Sequence, residues 1–292
     1  MKRRIKYFIA QLLSFLPDAA MLHLQYFIKL HRRLHLKNPV RFTEKIQWYK
    51  AYYHNPRMLP CTDKYLVRAY VTEVLGNDRY LNTLYQVCDR ADEIDFDALP
   101  QQFVIKTTDG GNGDNVFICT DKNHICREDV VRLVNSWRNK KYYTISREWA
   151  YRGAKQSRII VERYLEDPSS KDGSIEDYKF LCFDGKFRYL WVDKNRYSNH
   201  RRGFWDESLQ FLPDVKSDHP TFDIAPQLPA NIQEMICVAE QLSANFPFAR
   251  VDLYNIEGRI YFGEITFYPW SGYVQYTPDS FDFELGRWFC VR

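Results

Sequence analysis

The chain has 292 residues, 45% of them hydrophobic and 27% charged, which excludes a disordered polymer and leaves room for a full core with two or three lobes. A net charge of +4 is too small to argue for nucleic acid as a partner. The seven cysteines form no CxxC and no zinc-type group with histidine, a usage that fits a reducing cytosol.

Charge is uneven along the chain. Residues 1–36 carry Lys2, Arg3, Arg4, Lys6, Lys29, Arg32 and Arg33 against the single acid Asp18. The segment reads as two helices separated at Pro17. Its first apolar run is broken by Lys6 and Gln11, lacks a convincing small-x-small cleavage site, and is too short to span a bilayer. Two readings stand: an amphipathic helix docked on the body, or a basic interfacial helix on an anionic inner leaflet.

A helix is expected to open at Thr43 after Pro39, and another at Thr62 or Asp63, ending near Gly76-Asn77-Asp78. Strands are expected within Tyr80–Val87 and over Phe103–Lys106. The loop Asp109-Gly110-Gly111-Asn112-Gly113-Asp114-Asn115 leads into the strand Val116–Cys119, and a helix over Glu128–Asn139 follows, its charges matched to the helix dipole. Ile159–Tyr164 reads as a strand. Asp184-Gly185 marks a hairpin between Tyr178–Phe183 and Phe187–Asp193. Residues 195–230 look irregular, and His200-Arg201-Arg202 within them reads as a solvated or acceptor-binding loop. Asn231–Ala244 is a helix. The last pattern is a strand, an Ile-Glu-Gly turn and a second strand, over Arg250–Thr266.

That last hairpin carries the most chemistry. Glu264 and Thr266 share a face by the two-residue period, and Asp252 can stand opposite them. Two carboxylates and a hydroxyl on an otherwise apolar hairpin are costly without a cation, and hard oxygen ligands suit magnesium. Arg250 lies two residues before Asp252 on the same face, either as its structural partner or as a contact for a transferred phosphoryl group. Lys106 ends a strand just before the glycine loop, where Gly110, Gly111 and Gly113 let backbone N–H groups approach phosphate. The spacing is neither a P-loop nor a dinucleotide fingerprint. Glu162-Arg163-Tyr164-Leu165 can present backbone to an adenine edge, or simply end a strand. Asp177 and Lys179 share a face, as a surface pair or as nucleotide contacts.

In this order the parts resemble the ATP-grasp superfamily, and more closely its TupA-like group, associated with teichuronopeptide and other surface-polysaccharide biosynthesis. The matching stretches are Phe42–Trp48, Asp63–Arg68, Phe103–Lys106 with its glycine loop, Asp177–Phe180 and Phe262–Phe267. The resemblance implies an α+β fold in which two lobes clasp ATP behind a helical N-terminal extension. The divisions expected are a helical segment 1–60, a lead-in 61–100, a nucleotide-clasping lobe 101–165 and a metal and acceptor lobe 166–292. Lys106 is implied at the ATP phosphates under the loop of Gly110, Gly111 and Gly113. Glu162, Tyr164 and Leu165 are implied at the adenine hinge, Asp177 at ribose and Lys179 at phosphate. Arg250 is implied at the transferred γ-phosphoryl group, with Asp252, Glu264 and Thr266 at Mg2+. Thr266 stands where the superfamily commonly has Asn. The activity implied is an ATP-dependent carboxylate–amine ligase joining a carboxylate-bearing glycan or precursor to an amino acid or peptide, through an acyl phosphate. It is placed in the cytoplasm, with peripheral contact at the inner membrane face through residues 1–36. A glycosyltransferase, an ATP-grasp-type kinase and a non-catalytic membrane-surface scaffold are the rival readings.

Overall fold

The structure is a computed structural model and describes residues 15–110, 115–137, 142–152 and 157–291. Gly111, Gly113, the last two residues of the helix expected over Glu128–Asn139, and residues 1–14 of the first expected helix therefore lie outside the described residues. Helix α1 (Asp18–Leu30) starts directly after Pro17, with Asp18 in its first turn, and ends at His31 in the left-handed region. Its inner face, Leu22, Tyr26 and Leu30, packs with Leu34 and Leu36. Helix α2 (Phe42–Tyr52) begins where the Glu44 carboxylate accepts from the backbone N–H groups of Val40 and Arg41, reciprocating the cap.

The helix expected from Thr62 or Asp63 starts later, as α4 (Val67–Leu75), and a short unanticipated α3 (Met58–Cys61) precedes it. Asp63 does act as a cap, accepting from the N–H groups of Tyr65 and Leu66, but a turn intervenes before the regular helix. That turn carries Lys64, which matters below.

Two antiparallel sheets follow. The first contains β1 (Leu84–Cys88), β2 (Phe103–Thr107), β3 (Val116–Cys119) and β4 (Ile159–Arg163), in the order β1-β4-β2-β3. Helix α5 (Arg127–Trp137) covers it through Val130 and Val134. A short α6 (Tyr142–Ser146) leads back towards β4. The second sheet contains β5 (Asp177–Phe183), β6 (Lys186–Lys194), β7 (Arg201–Trp205), β8 (Phe248–Ile256) and β9 (Arg259–Thr266), in the order β7-β6-β5-β8-β9. Helix α7 (Ile232–Ser243) closes its back face with Met235, Val238, Ala239 and Leu242. Helix α8 (Ser280–Trp288) packs on α2.

Strand β7 overturns the expectation of irregular structure throughout 195–230, and α8 was not anticipated. Each sheet has its own hydrophobic core. The larger core surrounds the five-stranded sheet and includes α2, and the smaller one lies between α5 and the four-stranded sheet. No helix among the described residues is long and apolar enough to cross a membrane.

Candidate active site

The five-stranded sheet builds one charged face by register alone. Lys179 pairs with Trp191 on one side and Asp252 on the other, and Asp252 pairs with Glu264. One row of side chains thus runs Trp191, Lys179, Asp252, Glu264 across four strands. A neighbouring row places Arg202 beside Asp193, and Asp193 beside Asp177. The β8–β9 ladder slips by one residue beside Asp252, making a bulge at Gly263. A Cβ there would come within 3.0 Å of the Asp252 carbonyl oxygen, so the close approach favours glycine.

Arg250 organises the acidic end. Its Nε and Nη2 donate to the two Asp252 carboxylate oxygens, each at 2.6 Å. Nη2 also reaches Glu264 Oε1 at 2.8 Å and Thr266 Oγ1 at 3.1 Å. Thr266 in turn donates to Glu264 Oε1 at 2.8 Å. Lys179 bridges Asp177 and Asp252, with its Nζ 2.7 Å from Asp252 Oδ2. Arg196 adds a contact to Asp177 Oδ2 at 3.1 Å, while the buried Asp177 Oδ1 has no hydrogen-bond partner among the described residues.

These contacts set the charge states. Burial pushes the Glu264 carboxyl up, but Arg250, Lys179 and Lys64 outweigh it and hold Glu264 at about 2. Burial pushes Asp252 up to about 6, against Arg250 and Lys179, with Asp177 and Glu264 adding like-charge repulsion. Asp252 is almost fully buried, whereas the Glu264 side chain is 45% exposed. Glu264 is the more accessible of the two carboxylates.

The opposite wall comes from the four-stranded sheet and the turn before α4. Lys106 Nζ lies 2.9 Å from Glu162 Oε2, and Arg68 stands 3.7 Å from the other Glu162 oxygen. Lys64 donates to the Gly110 carbonyl, and burial lowers its pKa. Both walls line one cleft of about 450 Å³, which brings Lys106, Gly110, Glu162, Leu165, Asp177, Lys179, Arg250, Asp252 and Glu264 together. Tyr164 faces an adjoining cavity with Leu165 and Arg163 rather than this cleft. Thr266 lines a further cavity, of about 480 Å³, that shares Lys64, Gly110, Arg250, Glu264 and Trp270 with the cleft and adds Glu148 and Ser271.

Several cleft residues escaped the sequence reading. Lys64, in the turn before α4, and Arg68, in its first turn, both line the cleft, and no local pattern marks either one. Of the two readings of His200-Arg201-Arg202, the solvated loop fails for His200 and Arg202, and the acceptor-binding one stays open. Arg202 is buried on β7, and both side chains bind Asp193 and line the cleft.

Asp252 and Glu264 are opposed oxygen donors across the β8–β9 ladder, and hard oxygen donors of this kind suit magnesium. Among the described residues, no group of three or more His, Cys, Asp or Glu side chains is arranged to hold a metal by itself.

A family profile described as TupA-like ATPgrasp matches residues 44–290. No curated protein matches the chain. Among solved structures, D-alanine–D-alanine ligase from Bacillus anthracis is 19% identical with a TM-score of 0.45, covering 72% of this chain and 58% of that one. The ATP-grasp ligase PsnB, solved with a precursor variant, Mg and ADP, is 9% identical with a TM-score of 0.42, covering 77% and 57%. Phosphoribosylamine–glycine ligase from Thermotoga maritima is 11% identical with a TM-score of 0.42, covering 72% and 48%. The chain thus spans about half to three-fifths of the length of these ligases.

Proposed function

The chain belongs to the TupA-like ATP-grasp family, and from that premise we propose an ATP- and magnesium-dependent carboxylate–amine ligase. Its place of action is the cytoplasm and its acceptor a precursor of a bacterial cell-surface polysaccharide. The observation that carries the reading is the shared cleft: Lys106 from one sheet and Glu264 from the other line the same cavity.

In this reading Lys106 and Lys64 meet the phosphate oxygens as point charges, and Glu162 holds the Lys106 ammonium in place. The backbone from Glu162 to Leu165 faces the adenine edge. Asp177, with one oxygen unsatisfied, accepts from a ribose hydroxyl. Lys179 reaches phosphate from the floor, and Gly110 lines the same cleft. Asp252 and Glu264 are the residues that would hold magnesium. Thr266 orients Glu264 through its hydroxyl and is the weakest of the three donors. Magnesium, when bound, neutralises phosphate charge and favours loss of the γ-phosphoryl group.

Arg250 then supports the charge on the phosphoryl oxygens as a substrate carboxylate attacks phosphorus and ADP leaves. An amine attacks the resulting acyl carbon, the C–N bond forms, and phosphate departs. The adjoining cavity beyond Arg250 and Glu264 is the proposed acceptor chamber. Exclusion of water by the two walls protects the acyl phosphate from hydrolysis.

The test is ATP turnover with magnesium, a uronic-acid glycan and candidate amines, followed by phosphate release and product mass. Glu264→Gln is expected to lose turnover by about 10²- to 10³-fold, the range for removing one preorganised electrostatic contact. Turnover of that variant equal to wild type rejects the metal assignment. A stable phosphate left on the acceptor makes the protein a kinase, and preference for a nucleotide sugar over ATP makes it a glycosyltransferase.

A further inference from the structure

Helix α1 is apolar on two sides. Its inner face, Met21, Leu22, Tyr26 and Leu30, is buried against the body. A second apolar stripe, Ala20, Leu24, Phe27 and Ile28, follows the i, i+4, i+7, i+8 spacing and points outward. Phe27 is 61% and Ile28 59% exposed, and Phe15, just before the helix, is 78% exposed. Large apolar side chains grouped on one helix face, unlike single exposed ones, mark a docking surface.

The surroundings specify what docks. From residue 15 to residue 40 the only acid is Asp18, and it pairs with Arg147 at 2.9 Å. His23, on the outward side of α1, shares a small cavity with the exposed Arg33, His35 and Lys37. Arg32 is committed to Asp279 at 2.6 Å, but Arg33 and Lys37 have no ion-pair partner among the described residues. Residues 1–14 add Lys2, Arg3, Arg4 and Lys6 in sequence and no acid. An apolar stripe flanked by uncompensated cations complements the headgroup and acyl boundary of an anionic bilayer.

We propose that the outward face of α1, with Arg33 and Lys37, docks the protein on an anionic phospholipid surface. The same helix contributes Lys29 from its other side to the cavity beyond Arg250 and Glu264. Docking on the outward face therefore sets that cavity roughly 10 Å, one helix diameter, from the membrane. The docking claim stands without the ligase reading, because it uses no residue of the phosphate or metal face.

The full chain is sedimented with phosphatidylcholine vesicles, with and without phosphatidylglycerol, at low and high salt. Binding is expected only with phosphatidylglycerol, with release at high salt. The double variants Phe27→Ser with Ile28→Ser, and Arg33→Glu with Lys37→Glu, are each expected to weaken vesicle binding by about tenfold or more. All four side chains are exposed, so the melting temperature is expected to stay near wild type. The proposal is overturned if the wild type stays in the supernatant, or if both variants bind as well as wild type. It is also overturned if the Phe27 and Ile28 variant turns a dimer into a monomer by light scattering, since a second copy then covers the face.

Discussion

Arg202 shows how much of the cleft rests on one buried side chain. Its Nε and Nη2 donate to Asp193 at 2.7 and 3.1 Å, its Nη1 reaches Asp218, and its guanidinium lies 5.0 Å from the Trp191 ring and 4.9 Å from the Trp270 ring. It ties the chain around Asp218 and the turn at Trp270 onto the edge of the sheet. Burial pushes the Asp193 carboxyl up, but His200, Arg202 and Lys179 outweigh it and hold it well below the usual carboxylate range. Asp193→Asn leaves Arg202 buried without its main partner and is expected to cost about 3–5 kcal/mol in urea unfolding. Because the folded pKa is depressed, the Asp193 contribution is complete above the unfolded value of about 3.9 and lost as pH falls below it. The stability of the wild type should drop more steeply than that of the Asn variant on acidification from about pH 5. Lys106, Asp252 and Glu264 could be read in the sequence because strand periodicity and ligand chemistry are local. Arg202, His200 and Lys64 could not, because their partners Asp193 and Gly110 come from other elements.

Elements were legible where a turn announced them. Asp184 and Gly185, at φ of 47° and 73°, close the β5–β6 hairpin, and Glu257 and Gly258, at 50° and 83°, close β8–β9. Strand β7 was hidden because its alternation is broken. Arg202 and Gly203 are both buried, and a Cβ on Gly203 would fall 2.6 Å from the Phe222 ring. Helix α8 was hidden by acids that prove structural. Asp282 accepts from the backbone N–H and the hydroxyl of Thr43, at 2.9 and 2.8 Å, and so caps α2 from a distant part of the chain. The α2–α8 contact is tight enough to test. A Cβ on Gly286 would lie 2.1 Å from the Val40 carbonyl oxygen and 3.0 Å from the Phe42 nitrogen, both backbone atoms. Gly286→Ala must separate the two helices and strain the contacts from Lys45 Nζ to the Gly286 and Phe289 carbonyls, each 2.8 Å. A loss of about 1–3 kcal/mol is expected, the range for overpacking, read as a lower urea midpoint at unchanged slope.

At the scale of the whole molecule the two sheets have separate cores, and a few backbone links join them near the cleft. Phe262 N–H reaches the Tyr80 carbonyl at 2.7 Å, and Lys64 N–H reaches the Thr108 carbonyl at 2.9 Å. The smaller core beneath α5 buries far fewer side chains than the larger one, so the four-stranded sheet is expected to open locally before the molecule unfolds. A magnesium–nucleotide complex touching Lys106 above and Glu264 below would act as the missing bridge. At a ligand concentration about 100 times its Kd, binding adds about 2.7 kcal/mol to the bound state. Hydrogen exchange at Val104, Ile105, Ile160 and Val161, on the paired strands β2 and β4, should then slow by up to about 100-fold when it proceeds by opening of that sheet. Amides of β5 and β8, already inside the larger core, should change less. Lys106→Met should remove the ligand-induced slowing in β2 and β4, read against exchange of the same variant without ligand, because the substitution also breaks the ion pair from β2 to Glu162 on β4. Equal slowing in both sheets would mean that they open as one unit, and no slowing in β2 and β4 would mean that the nucleotide does not bridge the cleft.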